Sequence, residues 1–231
     1  MNIIGIDPSL TCTALVVNDK KFIYAKEEYG ISEKTQKMKK WFELCHPFIT
    51  YRWINYTKSL IHSDSEILKL VQYDLITNNI IEDIKSNLIP NEPIKIGIEG
   101  YSYSSSSGPL IDLVTFSTLL RNKLIKEITS DIKIIQPASL KLEAAKLTYA
   151  PIIKGVKVKK YEYRNKDGLA GGSFKKPDML MALVDNNNIN CEWVKLLRYN
   201  ADMIKELNTV PKPIEDMNDA KLLYEILKSH K

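Results

Sequence analysis

Residues 2–7 read NIIGID, and residues 94–99 read IKIGIE. Short isoleucine-rich runs are typical of β-strands, and each of these runs ends on a carboxylate, Asp7 or Glu99. In a strand that is buried on both faces, a charged side chain costs little only where the strand emerges at its end. If the two strands are parallel neighbours, both carboxylates lie at the sheet edge where open α/β sheets place their ligands. The sequence therefore predicts two acids that face one cleft.

The rest of the chain predicts alternating strands and helices. Further strands are predicted at 12–17, 22–29 and 132–135, with a hairpin turn at Asn18-Asp19-Lys20. Helices are predicted after Pro137 and at 66–88, 109–128, 175–184, 192–207 and 214–227. Ser63 and Glu66 have the spacing of a capping box for the helix predicted at 66–88. This alternation is typical of an α/β fold with parallel strands, and we expect one domain over residues 1–231.

The composition is that of a soluble globular protein. Hydrophobic residues make up 44% of the 231 residues, and no apolar run approaches the roughly 18 residues that span a bilayer. Met1 leads into the first strand without a basic signal-peptide region, so we expect an intracellular, cytoplasmic protein. The scattered Cys12, Cys45 and Cys191 are expected to be reduced thiols, and the three histidines lack metal-ligand spacing. Abundant Ile, Asn and Lys indicate an AT-rich genome, of a virus or of its host.

Two segments carry most of the net charge of +5. Residues 150–170 hold six cations against two acids, a local charge of +4, and residues 31–65 have a local charge of +3. Basic segments of this kind indicate contact with nucleic acid. The second segment is also rich in aromatic residues: Trp41, Phe42, Phe48, Tyr51, Trp53 and Tyr56. These rings could stack on bases, line a dimer contact or pack under the helix that follows, and packing is the favoured interpretation.

A third acidic group lies at the start of the last predicted helix, in the run EDMNDA at 215–220. Asp216 and Asp219 are three residues apart and therefore share a helix face. The apolar stripe at residues 222, 223, 226 and 227 predicts that the helix docks on the sheet, and the small Ala220 permits a close approach. Each acid also has a simpler interpretation: a turn or cap for Asp7, an exposed strand end for Glu99, and the helix macrodipole for the group at 215–219.

If these acids converge, their mutual repulsion would protonate some of them at neutral pH unless a divalent metal ion neutralises the group. Oxygen ligands favour Mg²⁺ or Mn²⁺. The sequence therefore predicts a divalent metal site.

Three motifs in this order, GIDP at 5–8, Ile98-Glu99 and DMNDA at 216–220, resemble those of the RuvC-like Holliday junction resolvases of the ribonuclease H superfamily. The resemblance covers nearly the whole chain and includes PASLK at 137–141. It implies a ribonuclease H-like α/β fold, a mixed sheet flanked by helices, with insertions at about 31–65 and 150–172. It also implies that two Mg²⁺ or Mn²⁺ ions are held by Asp7, Glu99, Asp216 and Asp219. Lys176 is implied to be a basic active-site residue, and the alternative is that it is an ordinary solvated lysine.

The activity implied by the resemblance is symmetric cutting of branched DNA, above all the four-way junction, by a homodimer. In two-metal hydrolysis the ions lie about 3.5–4 Å apart, one activating a water and the other stabilising the leaving oxygen. The chain departs from the family at Ser9, where the family usually has glycine, and at Ser102, where it has an aromatic residue. Sequence preference is therefore left open.

The insertion at 150–172 is expected to form a protruding hairpin that tracks phosphates, with a solvated charged loop as the alternative. The predicted DNA contacts are Tyr101, Tyr103, Lys141, Lys154, Lys157, Lys159, Lys160, Arg164, Lys166 and Lys175.

Three rival functions differ in class. In actin-like sugar kinases and ATPases the first phosphate loop also follows a strand ending Gly-Ile-Asp. That fold needs about twice this chain length and further glycine-rich phosphate loops, and this sequence has neither. A protein that only binds junctions would not need to keep all the acids of the resolvase motifs at their positions. A nuclease acting on flaps or RNA-DNA hybrid would keep the same site and change only the substrate.

Overall fold

The computed structural model describes residues 1–26, 33–55, 59–101, 107–154, 160–206 and 209–229. Three of the predicted DNA contacts, Tyr103, Lys157 and Lys159, lie outside these residues, as does the end of the strand predicted at 22–29.

Six strands form one mixed sheet: β1 Asn2–Asp7, β2 Cys12–Val17, β3 Lys20–Lys26, β4 Thr50–Ile54, β5 Ile94–Glu99 and β6 Ile132–Ile135. Their order across the sheet is β4-β3-β2-β1-β5-β6. β2 is antiparallel to β1 and β3, and the other neighbouring pairs are parallel. In the pairing of β1 with β5, Gly5 lies opposite Gly97 and Ile6 opposite Ile98, so both strands end at the same edge. The predicted parallel pairing is confirmed.

Eight α-helices lie in the described part of the chain: α1 Glu33–Cys45, α2 His62–Ser86, α3 Ser107–Glu127, α4 Pro137–Thr148, α5 Lys176–Asp185, α6 Glu192–Tyr199, α7 Ala201–Lys205 and α8 Ile214–Ser229. A 3-10 turn spans Gly171–Ser173. Strands β7 Pro151–Lys154 and β8 Lys160–Tyr163 pair antiparallel, which confirms the hairpin predicted in the basic segment. None of these helices combines the length and apolar character needed to cross a membrane.

Two helix predictions were wrong in detail. The helix predicted from Glu66 begins at His62, after the extended Ile61, so Ser63 and Glu66 lie inside it and form no capping box. There Glu66 instead pairs with Lys69. The helix predicted at 192–207 is broken at Asn200, whose side-chain amide donates to the carbonyl oxygen of Leu196. Asparagine side chains compete with the backbone in this way, so α6 ends and α7 begins there.

The helices cover both faces of the sheet, which confirms the predicted α/β class. On one face α2 and α3 pack against alternate strand residues such as Ile4 and Ile6. On the other face α1, α4, α5 and α8 pack against the residues between them, such as Ile3. α8 is buried along most of its length and contacts β1, β2 and β5. The predicted docking of this helix is confirmed.

The aromatic segment packs on the sheet, but not under the helix that follows it. Trp41 and Phe42 of α1 are buried with α8 on one face, whereas α2 covers the opposite face. The reason is the place of β4: it extends the sheet beside β3, and α1, which connects the two strands, lies on the α8 face. Trp53 of β4 stays 46% exposed.

Candidate metal centre

Three carboxylates meet where β1 and β5 end beneath α8. Asp7 is the last residue of β1, Glu99 is the last residue of β5, and Asp219 lies in the second turn of α8. Each offers a carboxylate oxygen, and these oxygens all lie within 4.8 Å of one another. Asp7 and Asp219 are buried, and Glu99 is partly exposed. The cluster therefore has a buried floor and one partly open side.

A glycine allows α8 to lie this close to the sheet. A Cβ atom added at Gly5 would overlap the carbonyl oxygen of Ala220 and would lie 2.8 Å from the backbone nitrogen of Tyr224. Both are backbone atoms, so no side-chain rotation could make room. Because Gly5 and Asp7 are on β1 and Ala220 follows Asp219, this contact sets the distance between the two acids.

Burial and mutual repulsion make the cluster costly without a counter-ion. Burial, together with the negative charges of Glu99, Asp219 and Asp216, raises the pKa of Asp7 well above its usual value. Burial also raises the pKa of Asp219 to about 7, although the charge of Lys176 opposes the shift. Among the buried side-chain oxygens of the described residues, Oδ1 of Asp219 and Oδ2 of Asp216 have no hydrogen-bond partner. A buried group of unpartnered carboxylate oxygens fits a hard divalent cation.

Lys176, the first residue of α5, lies at this cluster. Its ammonium group contacts Oδ2 of Asp219 and lies 3.5 Å from Oε1 of Glu215. Burial lowers the pKa of Lys176, but the charges of Asp219 and Asp7 outweigh it and raise that pKa above its usual value. The side chain is therefore a fixed positive charge against the acids.

Asp216 lies one turn before Asp219 on α8, outside the group of three. It is buried, and its Oδ1 contacts the ammonium group of Lys212. Burial and then the negative charge of Asp216 raise the pKa of the Cys12 thiol. Lys212 also lies 3.6 Å from Oε2 of Glu215. Lys212 lies between Pro211 and Pro213 and is not among the predicted site residues. Its i,i+4 spacing from Asp216 is the pattern that could have revealed the contact.

Arg121 of α3 is a second residue that the sequence did not reveal. Its guanidinium group donates to the backbone carbonyl of Glu99 at 3.2 Å and lies 4.4 Å from the ring centre of Tyr101. The hydroxyl of Tyr101 lies 3.4 Å from that of Thr118 on the same helix. Arg121 thus ties the end of β5 and the predicted DNA contact Tyr101 to α3.

Several predicted DNA-contacting cations form ion pairs within the protein. Glu162 pairs with Lys154 at 2.5 Å and with Arg164 at 3.0 Å. Lys166 pairs with Asp185 at 2.6 Å. Lys160 on β8 and Lys175 before α5 are exposed, and Lys141 of α4 is partly exposed. The positive charge of this basic segment is therefore partly neutralised by Glu162 of β8 and Asp185 of α5.

No protein-family model matches this chain, and no curated protein matches it in sequence. Among solved structures, the chain is similar to the RuvC protein of T. thermophilus in complex with a Holliday junction substrate. The sequence identity is 10% and the TM-score is 0.46, and the similarity covers 100% of this chain and 96% of that one.

Proposed function

We propose that this chain is a metal-dependent nuclease that cuts four-way DNA junctions and related branched DNA. The observation that supports it best is the convergence of Asp7, Glu99 and Asp219, from three separate elements, on one small volume. The order of these acids along the chain is that of the resolvase motifs, and Lys176 is also at the site.

Asp7, Glu99 and Asp219 would hold divalent cations, with Asp216 as a further ligand through its unpartnered Oδ2. When bound, two such ions supply an activated water and stabilise the leaving oxygen during in-line displacement at phosphorus. The chain supplies a rigid frame, because Asp7 and Glu99 end paired strands and Asp219 lies on a buried helix. Lys176 balances the charge of Asp219 in the metal-free protein. With Asp219 neutralised, Lys176 can donate to a phosphate oxygen and stabilise the charge that develops there.

DNA is the substrate that the exposed cations favour. Lys160 and Lys175 present ammonium groups to solvent, and Lys154 and Arg164 can exchange Glu162 for backbone phosphates. Contacts to phosphates of this kind supply affinity and position without reading sequence. The choice of a branched substrate comes from the resemblance to the resolvases.

An exposed apolar face supports a homodimer. On α2, Ile67, Leu70, Val71 and Leu75 share one helix face and are each 50–61% exposed. Ile111 of α3 is 65% exposed, and the neighbouring Asp112 pairs with Lys69 of α2 at 3.2 Å. A group of exposed apolar side chains on one helix face indicates a protein interface, and a twofold dimer suits cutting a symmetric junction on two strands.

Asp7→Asn tests the proposal, because it removes a ligand charge from the cluster while keeping nearly the same shape. We expect the variant to bind a labelled four-way junction as the parent chain does and to lose its cutting. Junction, flap, RNA-DNA hybrid and linear duplex should each be incubated with Mg²⁺ or with chelator and the cuts mapped. Paired nicks confined to the junction and lost in chelator support a resolvase. Equal cutting of the flap or hybrid supports a broader nuclease, absence of all cutting supports the binding-only alternative, and full activity of Asp7→Asn contradicts the metal assignment.

A further inference from the structure

A cavity lies between α1 and β4, apart from the acidic cluster. Its volume is about 390 Å³, within the range typical of small-ligand pockets. The lining consists mainly of the rings of Phe42, Tyr51, Trp53 and His46, with the polar side chains of Lys39 and Glu43. A pocket with aromatic walls and a few polar groups is the usual form of a site for a flat organic ligand.

The rings are already arranged for stacking. Tyr51 and Trp53 alternate along β4, so they share a face, with ring centres 5.3 Å apart and planes inclined by 16°. Phe42 supports both, with ring centres 5.3 and 5.5 Å away. The hydroxyl of Tyr51 donates to the carbonyl oxygen of Phe42 at 3.2 Å, which fixes the tyrosine ring. Because Trp53 is 46% exposed, its indole offers surface on which another flat ring can stack.

The polar groups of the pocket suit the edge of a nucleobase and its phosphate. Glu43 offers an acceptor, His46 offers either a donor or an acceptor, and Lys39 offers a cation. Lys39 lies 3.9 Å from Glu43 on an exposed helix surface, a pairing that contributes little and exchanges readily. The adjacent Lys40 is exposed, with its ammonium group 5.0 Å from the ring centre of Trp41.

The pocket shares a sheet face with the acidic cluster. Its Trp53 end lies towards the edge where the acids emerge, and its His46 end lies towards the opposite edge, beside Asp19 and Lys20. Trp53 lies opposite Ala25, and Ala25 lies opposite Cys12, so the three side chains point to the same face. Cys12 begins β2, and Ala14 of the same strand lies opposite Asp7. β4 is three strands away from β1, a lateral separation of about 14 Å.

We propose that this pocket binds an unpaired nucleobase of a DNA strand that runs to the candidate metal centre. The inference rests on the proposed nuclease function and adds to it a specific site for single-stranded DNA. A peptide is the weaker occupant: it could pair with β4, the edge strand among the described residues, through backbone atoms alone and would leave the stacked rings unused. Stacking on tryptophan and tyrosine is how proteins hold single-stranded nucleic acid without reading its sequence.

Fluorescence anisotropy of a labelled single-stranded oligonucleotide, measured in chelator so that no cutting occurs, tests the proposal. Trp53→Ala is expected to weaken binding about 5- to 150-fold, the range for loss of one stacked base. Trp53→Phe is expected to keep most of the affinity, since it keeps a ring. Binding to duplex of the same length is expected not to change in either variant. Tyr199→Ala is the matched control, because Tyr199 is an aromatic residue that is 90% exposed on α6.

Single-strand binding by Trp53→Ala equal to that of the parent chain would overturn the proposal. A change of mass in sedimentation for Trp53→Ala without DNA would also overturn it, because the pocket would then be a contact between copies. Junction cutting in Mg²⁺ is measured separately. If the parent chain cuts nothing while Trp53→Ala still loses single-strand affinity, the nuclease proposal fails and the pocket assignment stands. If cutting is intact and Trp53→Ala changes no binding, the reverse holds.

Discussion

Replacing Gly5 by alanine should separate the two acids that α8 and β1 bring together. The added Cβ would overlap the carbonyl oxygen of Ala220 and lie 2.8 Å from the nitrogen of Tyr224, whereas unstrained carbon contacts are about 3.3–4.0 Å. Since both obstacles are backbone, the helix must move by about 1 Å. Overpacking of this kind costs about 1–3 kcal/mol and occasionally more, and we expect about 3 kcal/mol here. In a chain of this size that lowers Tm by about 6–12 °C.

Gly97→Ala is the matched control, because Gly97 lies directly opposite Gly5 in the same strand pair. Its added Cβ would meet the Cδ1 atom of Leu227 at 3.1 Å, the end of a flexible side chain that can turn aside. We expect a stability change below about 1 kcal/mol for this variant, since strain and the loss of chain entropy in the unfolded state nearly cancel. Thermal unfolding and junction cutting should be measured for both variants. We expect Gly5→Ala to reduce cutting by about 100-fold, as displacements of about 1 Å do at active sites. Equal Tm and equal activity for the two variants would refute the close-packing account.

Two further predictions concern the acids and the apolar face. The pKa of Asp219 is raised from 3.8 to about 7 in the folded, metal-free protein, so its contribution to the free energy of unfolding falls as pH rises through this window and is constant above it. Relative to Asp219→Asn, the parent chain should therefore lose roughly 4 kcal/mol of stability between pH 4 and pH 7 in chelator, and much less in Mg²⁺. Urea unfolding measures the stability of both chains across this pH range. Parallel pH profiles of the two chains in chelator would contradict the prediction. Val71→Glu places a charge at the centre of the exposed face of α2 and should convert a dimer to a monomer in sedimentation, while an unchanged mass would show that the dimer forms elsewhere.

The sheet around the site could be predicted because its pattern is local. The isoleucine-rich runs that end on Asp7 and Glu99 indicate strands, and two buried parallel strands with acids at their ends have only one edge at which the acids can emerge. The apolar stripe at 222–227 predicts that α8 docks with Asp216 and Asp219 towards the sheet. In each case the prediction needs only the residue spacing within one element.

The partners that come from other elements could not be predicted in the same way. Arg121 reaches the carbonyl oxygen of Glu99 only because α3 docks beside β5, and nothing in its own helix sequence indicates this. The side of the sheet that Trp41 occupies depends on the addition of β4 beside β3, which no local pattern specifies. Contacts between elements depend on how those elements dock, and residue spacing within one element does not specify the docking.

The two lysines explain how this acidic cluster can fold before any metal binds. Each contacts one of the two buried aspartates of α8: Lys176 contacts Asp219, and Lys212 contacts Asp216. One carboxylate oxygen on each of these acids nonetheless stays buried and unpartnered in the described structure. Asp7 has no ion pair of its own among the described residues, and burial together with the charges of Glu99, Asp219 and Asp216 outweighs the attraction of Lys176 and raises its pKa. The lysines thus offset enough repulsion for α8 to dock on β1, and the remaining unbalanced charge is centred on Asp7. On this reasoning a divalent cation gains most of its binding energy at Asp7, which is why that residue is the most informative one to change.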